Sequence, residues 1–429
     1  MAHPERTRDV TAGIHVVVVG GGFAGIAVGR GLANSSVRVT IVDQHNFHTF
    51  LPLLYQVATA GLEPADVAYP IRTIFGGAAN IRFRHGRVRQ VDHVANTVVL
   101  DDGSRLGYDH LVIATGATAA YFGIPGASQF AIPLYSLADA RRLRNRLLLA
   151  LEDADVRAER EPVSLTFVVV GGGPTGVETA GALAELISIA LRRDGLRLDP
   201  RRVRVVLVDL AERLLTAFPE SASRYAAREL AALGVEVQLG RSVVAVEEGA
   251  IRFADGERLE TAAVIWAAGV TASGTVVHDL AVAAGPGGRA GVGADLRCDT
   301  SENVWAVGDA AAIPSADGSF CAQLAPVAIQ SGRHCAAQIL RVTRGEPTEP
   351  FVYRNKGIMA TIGRRAAVAK LPRGGVIRGT LGWLAWLGLH LFYLVGFRNR
   401  LRVLINWTWR YFDWPSGPRL IVADAETAE

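Results

Sequence analysis

The chain has 429 residues, half of them hydrophobic and a fifth charged, with a formal net charge of +4. A large buried core is expected and general disorder is excluded, while so mild a charge gives no electrostatic case for nucleic acid as a partner. Three cysteines, Cys298, Cys321 and Cys335, form neither a disulfide framework nor a metal site. A reducing compartment and no bound metal are expected, with Cys321 and Cys335 as buried apolar fillers.

The opening segment MAHPERTRDVTAG lacks the apolar stretch of a secretory signal, and order is expected from Gly13. From Ile14 the chain reads IHVVVVGGGFAGIAVGRGLANSSVRVTIVD. A valine run ends at Gly20, a helix-like stretch follows, and a second apolar run, Val37–Val42, ends at Asp43. The turn contains Gly20-x-Gly22-x-x-Gly25. In such a turn the first glycine permits the bend, the second admits a pyrophosphate to the backbone, and the third lets helix pack on strand. The helix N-terminus offers free N–H groups to phosphate, and Asp43 stands where a carboxylate accepts ribose hydroxyls.

The device recurs in LTFVVVGGGPTGVETAGALAEL, with Gly171-x-Gly173-x-x-Gly176, and its second strand VRVVLVD ends at Asp209. The longer spacing to this acid is a surface loop, RRDGLRLDPRR. An acid at this position disfavours a 2′-phosphate and favours NADH; Arg213 close by keeps NADPH open. Three more apolar strands run into small residues or glycine. They end at Thr115-Gly116 in YDHLVIATGA, within AAVIWAAGV at Ala262–Val270, and at Gly308-Asp309 in NVWAVGDAAAIP. Two dinucleotide sites suggest one held flavin and one passing nicotinamide.

Together the paired loops, ATG, AAG and VGDAA resemble the two-dinucleotide-binding-domain flavoproteins. The resemblance implies an α/β fold of two Rossmann-type domains. The FAD-binding domain is expected over 12–118 and 272–345, the NADH-binding domain over 119–271, and a C-terminal membrane-interfacial helical segment, for anchoring and dimerisation, over 346–429. The redox cysteine pair of the group's disulfide reductases is absent: the equivalent region, QHNFHTFLPLLYQVATAGLEP, has no cysteine, so the electron acceptor is expected to reach the flavin itself. That region, NKGIMATIGRRAAV (Asn355–Val368) and the segment from Trp383 to Phe412 resemble type II NADH dehydrogenases, the single-subunit NADH:quinone oxidoreductases. The resemblance implies FAD contacts at Gly20, Gly22, Gly25, Asp43, Pro52, Thr115, Gly116 and Asp309 after Gly308, with the Val88 backbone near the adenine. It implies NADH contacts at Gly171, Gly173, Thr175, Gly176, Glu178 and Asp209. One departure stands out. Where the family carries a glutamine-rich segment beside the flavin, this chain has AQLAPVAIQSG, with Pro326 in place of the first glutamine, Gln323 three residues before it, and Gln330 retained.

The tail, WLAWLGLHLFYLVGFRNRLRVLINWTWRYF, has no formally charged residue from Thr380 to Phe397, apart from any protonation of His390. Its length suits a membrane span. Recurrent glycines, tryptophans spread throughout, and Arg398, Arg400, Arg402 and Arg410 set inside the aromatic pattern favour lying on the surface, with Trp and Tyr at the headgroup level and arginines on lipid phosphates. The expected function is hydride transfer from NADH to FAD, then two electrons to ubiquinone or menaquinone, without proton pumping, by a peripheral homodimer on the cytoplasmic face of the cell membrane. Glu178 is expected either to stabilise its helix N-terminus or to touch nicotinamide and help deliver protons. Gln330 is expected to bond a quinone carbonyl, or to cap a helix or the flavin. Lys356 is expected in solvent, and His48 either at the flavin or as a structural donor. A soluble reductase of a redox-protein acceptor and a non-enzymatic flavin redox sensor are the competing readings.

Overall fold

The computed structural model describes residues 13–193, 195–272, 280, 282–299, 301–412 and 419–422, without the side chains of 409–412. The opening segment before Gly13 and the Arg410 side chain thus lie outside the described residues. The chain divides into two compact units: Met1–His48, Pro70–Thr118 and Val270–Asn355 make the first; Thr49–Tyr69, Ala119–Gly269 and Lys356–Glu429 make the second.

The first unit is built on a parallel sheet in the order Val304–Ala306, His110–Ile113, His15–Val19, Arg38–Asp43, Ile81–His85. All five residues of His15–Val19 are buried, as expected of a central strand covered on both faces. The helix Phe23–Leu32 packs on the helix Ala325–Thr343 through small residues. A β-carbon on Gly332 would meet the Ala24 carbonyl oxygen at 2.4 Å, and one on Gly31 would meet Ala336 at 2.6 Å. Cys298, Cys321 and Cys335 all sit buried in this core, and burial pushes the Cys298 thiol up to about 12.

The second unit repeats the plan, with parallel strands in the order Ala131–Pro133, Ala263–Trp266, Leu165–Val170, Val203–Val208, Val235–Gln238. Each unit also carries a three-stranded antiparallel meander, Val88–Asp92 to Arg105–Gly107 in the first and Val243–Glu247 to Arg258–Glu260 in the second. In the second unit the helix after the glycine loop, Pro174–Arg193, lies against a further antiparallel sheet, Ile358–Gly363, Ala366–Lys370 and Val376–Arg378. These strands are an addition to the helical C-terminal segment read from the sequence.

Two helices follow, Gly379–Tyr393 and Phe397–Phe412. Between them Gly396 turns at φ +86°, and a β-carbon there would stand 2.4 Å from the Tyr69 ring. The apolar run from Thr380 to Phe397 is therefore broken, and no helix among the described residues is long and apolar enough to cross a membrane. Three tryptophans of the tail correct the sequence reading. Trp383, Trp386 and Trp407 are 9 %, 1 % and 4 % exposed. They fasten the helices to the unit rather than facing outward. The outer surface is aliphatic and phenylalanine instead, with Leu381, Leu384, Leu389, Phe392, Phe397, Leu401, Leu404 and Ile405 all exposed. Two of the arginines also turn to protein: Arg402 pairs with buried Asp66 at 3.2 Å, and Arg400 donates to the Leu394 carbonyl at 2.7 Å.

Gly181 sets how closely the loop helix meets the C-terminal sheet, since a β-carbon there would lie 1.7 Å from the Ile362 carbonyl oxygen. Gly181→Ala is expected to push helix and strand apart and destabilise the fold by roughly 1–3 kcal/mol, read as a lower denaturation midpoint.

Candidate active site

The two glycine loops are superimposable in their logic. Gly20 and Gly171 take φ +110° and +118°, a region costly for any side chain. A β-carbon on Gly20 would stand 2.3 Å from the Ala114 carbonyl oxygen, and one on Gly171 2.3 Å from that of Ala267. At the third glycine the obstacle is the loop itself: Gly25 against the Gly20 oxygen at 1.8 Å, Gly176 against the Gly171 oxygen at 1.7 Å. Gly22 and Gly173 differ, for nothing lies within 4 Å of their β-positions. That open side, at a helix N-terminus, is the space a pyrophosphate needs.

Each loop is faced by its acid. Asp43 accepts from the Gly21 N–H at 2.5 Å and the His45 N–H at 2.7 Å. Asp209 accepts from the Gly172 N–H, and from the Ala211 N–H at 2.6 Å. Thr175 is exposed in the first turn of its helix. Arg213 donates to the Phe218 carbonyl at 2.8 Å, the Ser223 hydroxyl at 3.0 Å and the Thr216 carbonyl at 2.7 Å. Its guanidinium is thus committed to protein, and Asp209 sets the charge at the strand end.

Two atoms beside the first loop lack protein partners. His48 is 2 % exposed, and its Nδ1 lies 3.1 Å from the Gly21 carbonyl oxygen, so Nδ1 carries the proton. Burial lowers its pKa to about 4, leaving the ring neutral and Nε2 a bare acceptor with no donor. The Thr115 hydroxyl is likewise buried and unpartnered. Orphaned buried polar atoms are uncommon. Set at an open glycine cradle, these two fit a polyol–pyrophosphate ligand, and FAD is one.

Other expected FAD residues lie in the same unit. Gly116 turns at φ +73° into open space. Val88 follows Gly86, whose N–H donates to the Asp43 carbonyl at 3.0 Å. Gly308 donates to the Ser331 hydroxyl at 3.0 Å, and the Asp309 carbonyl accepts from the Gln323 amide at 3.0 Å. Pro326 stands in the first turn of Ala325–Thr343, where a missing N–H costs nothing. Gln330 clasps the Arg354 backbone, donating to its carbonyl and accepting from its N–H, each at 3.0 Å. One N–H and one lone pair remain on that amide. Pro52, in the turn Leu51–Leu53, belongs to the second unit. Lys356 is exposed.

Within the second unit, Glu178 opens onto a cleft of ≈ 40 Å³ walled by Tyr55, Gln56, Thr361, Trp386 and Trp407 among others. A space of this size holds a few waters. The Thr361 N–H donates to Glu178 Oε1 at 3.2 Å. Glu178 is partly buried as a residue because it forms a wall, yet its carboxyl is enclosed, and desolvation raises its pKa to about 8. The Thr361 N–H opposes that rise, as does the Trp386 indole, which lies near the carboxyl without making a hydrogen bond. Trp407 Nε1 donates to Gln56 Oε1 at 2.9 Å, and the Gln56 amide donates to the Tyr55 hydroxyl at 2.8 Å. His390 stacks on Trp386 with ring centroids 4.1 Å apart, and burial lowers its pKa to about 4. The sequence reading singled out Glu178 but missed Tyr55, Gln56, Thr361 and the tryptophans as its neighbours. The one available signal was the polar pair Tyr55-Gln56 inside an apolar segment.

Two acid-faced glycine loops on duplicate parallel sheets define a nicotinamide-linked flavoprotein. Residues 14–332 match the pyridine nucleotide-disulphide oxidoreductase family, and residues 355–413 match the NDH2 C-terminal domain. A type II NADH:quinone oxidoreductase of Mycobacterium tuberculosis is 37% identical over 428 residues, spanning 96% of this chain and 90% of that protein. A mitochondrial internal alternative NAD(P)H-ubiquinone oxidoreductase of Arabidopsis thaliana is 32% identical, spanning 91% of this chain and 83% of its own length. Among solved structures, NDH2 from Plasmodium falciparum in complex with NADH shares the fold with a TM-score of 0.85 at 18% identity, over 95% of this chain and 99% of that one. The chain belongs to the type II NADH:quinone oxidoreductases.

An acid whose folded pKa is raised binds more protons folded than unfolded between the two values. Stability is therefore lost as pH rises from the ordinary carboxyl range through about 8. Glu178→Gln removes this loss. Across that window the variant is expected to gain on the parent, by at most about 1.4 kcal/mol per pH unit, in denaturant melts at stepped pH.

Proposed function

We propose that the chain oxidises NADH and reduces a quinone at a membrane surface, with FAD held by the first unit and NADH by residues 119–271. Bound FAD supplies the two-electron relay that accepts hydride from NADH and releases electrons to the quinone, without proton pumping. Around it Gly20, Gly22 and Gly25 leave room for pyrophosphate, Asp43 meets the ribose, and His48 Nε2 and the Thr115 hydroxyl take up ligand polar groups. Gly171, Gly173 and Gly176 with Asp209 do the same for NADH, and Asp209 repels a 2′-phosphate.

One observation carries the quinone half of this reading. Glu178 sits on the helix that leaves the NADH loop, and its cleft is closed by Trp383, Trp386 and Trp407. Those tryptophans belong to the helices whose outer faces expose leucine, isoleucine and phenylalanine. A polar-lined cleft behind an apolar surface suits a substrate with a polar head and an oily tail. In this reading the Tyr55 hydroxyl and Gln56 amide meet quinone oxygens, and the enclosed Glu178 carboxyl holds a proton at neutral pH for the reduced product. Residues 346–429 rest on the cytoplasmic face of the cell membrane, and a homodimer doubles the anchor.

Two variants test the assignment. Glu178→Gln is expected to slow turnover with short-chain quinones roughly tenfold or more while sparing NADH oxidation by ferricyanide, a one-electron acceptor that needs no proton. Equal loss with both acceptors, or a wild-type protein that reduces no quinone, overturns the reading. Asp209→Ala is expected to raise the NADH requirement roughly ten- to a hundredfold and to narrow the preference over NADPH, in steady-state kinetics with each nucleotide.

A further inference from the structure

A concavity of the second unit is lined by none of the residues of its glycine loop. It has a volume of ≈ 650 Å³ and is lined by Ser221, Arg224, Tyr225, Arg228, Arg378 and Gly379. Three guanidinium groups converge on one hollow. The helix Glu220–Ala232 supplies Arg224 and Arg228 one turn apart, and Arg378 comes from the end of the strand Val376–Arg378. Arg224 pairs with Glu220 and Arg228 with Glu229, at 3.1 Å in the second case; both arginine side chains remain more than two-thirds exposed, at 68% and 71%. Exposed pairs of this kind are weak and exchange readily. Arg378 makes no ion pair among the described residues and donates to the Ser221 carbonyl at 3.4 Å. The Arg228 guanidinium also lies over the Tyr225 ring at 5.1 Å, which holds one side of the hollow. Counting the two glutamates against the three arginines leaves the rim positive by one charge.

Position gives this hollow its meaning. Gly379 begins the helix Gly379–Tyr393, and Leu381 and Leu384, 71% and 53% exposed, follow within its first two turns. At about 1.5 Å of rise per residue, the arginine rim and the apolar face are separated by less than the depth of a headgroup region. A phospholipid has this layout, an anionic phosphate within a few ångströms of hydrocarbon. Two arginines of the last helix are already engaged with protein, Arg402 by Asp66 and Arg400 by the Leu394 carbonyl.

We propose that Arg224, Arg228 and Arg378 form a binding site for the phosphate of an anionic phospholipid, seated while Leu381 and Leu384 meet the acyl chains. This rests on the membrane reading above and adds a lipid preference to it. The site would set the orientation of the helices on the bilayer and make attachment depend on anionic lipid.

The test is co-sedimentation of the intact flavin-loaded protein with vesicles of phosphatidylcholine alone and of phosphatidylcholine mixed with phosphatidylglycerol. Wild type is expected to favour the anionic vesicles, and each of Arg224→Gln, Arg228→Gln and Arg378→Gln to lower partitioning onto them roughly fivefold, with binding to neutral vesicles unchanged. Retained NADH oxidation with ferricyanide, which needs the nucleotide-binding part of the same unit, shows that a variant is folded, and the three single variants give independent readings. Arg157→Gln, at an exposed position near the end of Leu137–Ala158 and outside the hollow, is expected to leave the preference intact. Equal wild-type binding to both vesicle types, or an equal loss in Arg157→Gln, overturns the site and leaves membrane attachment standing. Wild-type binding to neither overturns the membrane reading as well. Inorganic phosphate at matched ionic strength is expected not to abolish the preference; abolition assigns the hollow to free phosphate and overturns the lipid.

Discussion

The approach of a helix backbone to a strand carbonyl at Gly181 is the constraint on which the active unit depends. With no side chain at that point, the strand Ile358–Gly363 lies directly on the helix that leaves the second glycine loop. That contact puts the Thr361 N–H on Glu178. It also fixes the start of the C-terminal sheet, whose last strand leads into the helix bearing Trp383 and Trp386. The helix of the second glycine loop and a tail far along the chain thereby come to share one cleft.

The second support is polar. The segment Thr49–Tyr69 is held to the last helix by Asp66, which takes Arg402 and Asn406, and by Gln56, which takes the Trp407 indole N–H. The Asn399 amide adds a bond to the Ala68 carbonyl at 3.2 Å. Asp66 is wholly buried. Removing a single partner from a buried charge costs far more than removing the pair together, so these contacts fix the geometry of the segment as well as its attachment. The tyrosine and glutamine of the cleft are oriented by this frame.

The dinucleotide folds were legible in the sequence because their physics is local. A glycine that must bend, one that must stay bare and one that must admit a backbone atom stand within six positions, and the acid at the next strand end completes the set. Gln323 and Pro326 were harder. Their roles depend on where a helix begins and on which carbonyl lies opposite, and neither is written in spacing. The cleft was not legible, because Tyr55, Glu178, Thr361 and Trp407 meet only through tertiary packing. The tail misled for a related reason. An apolar helix with apolar residues on both sides gives no periodic signal of which face is inward. Composition suggested tryptophan toward lipid; packing volume decided otherwise, since the large indoles fill the seam and the aliphatic residues are left outside.

That inversion changes what light can report. Three of the chain's seven tryptophans stand at the cleft rather than at the lipid boundary. Emission from Trp383, Trp386 and Trp407 is therefore governed by whatever occupies the space beside Glu178, and a quencher dissolved among acyl chains reaches these indoles poorly. Spectral shifts on adding a lipophilic headgroup analogue would register entry into the protein, where the same shifts in an ordinary amphipathic anchor would register insertion into the bilayer.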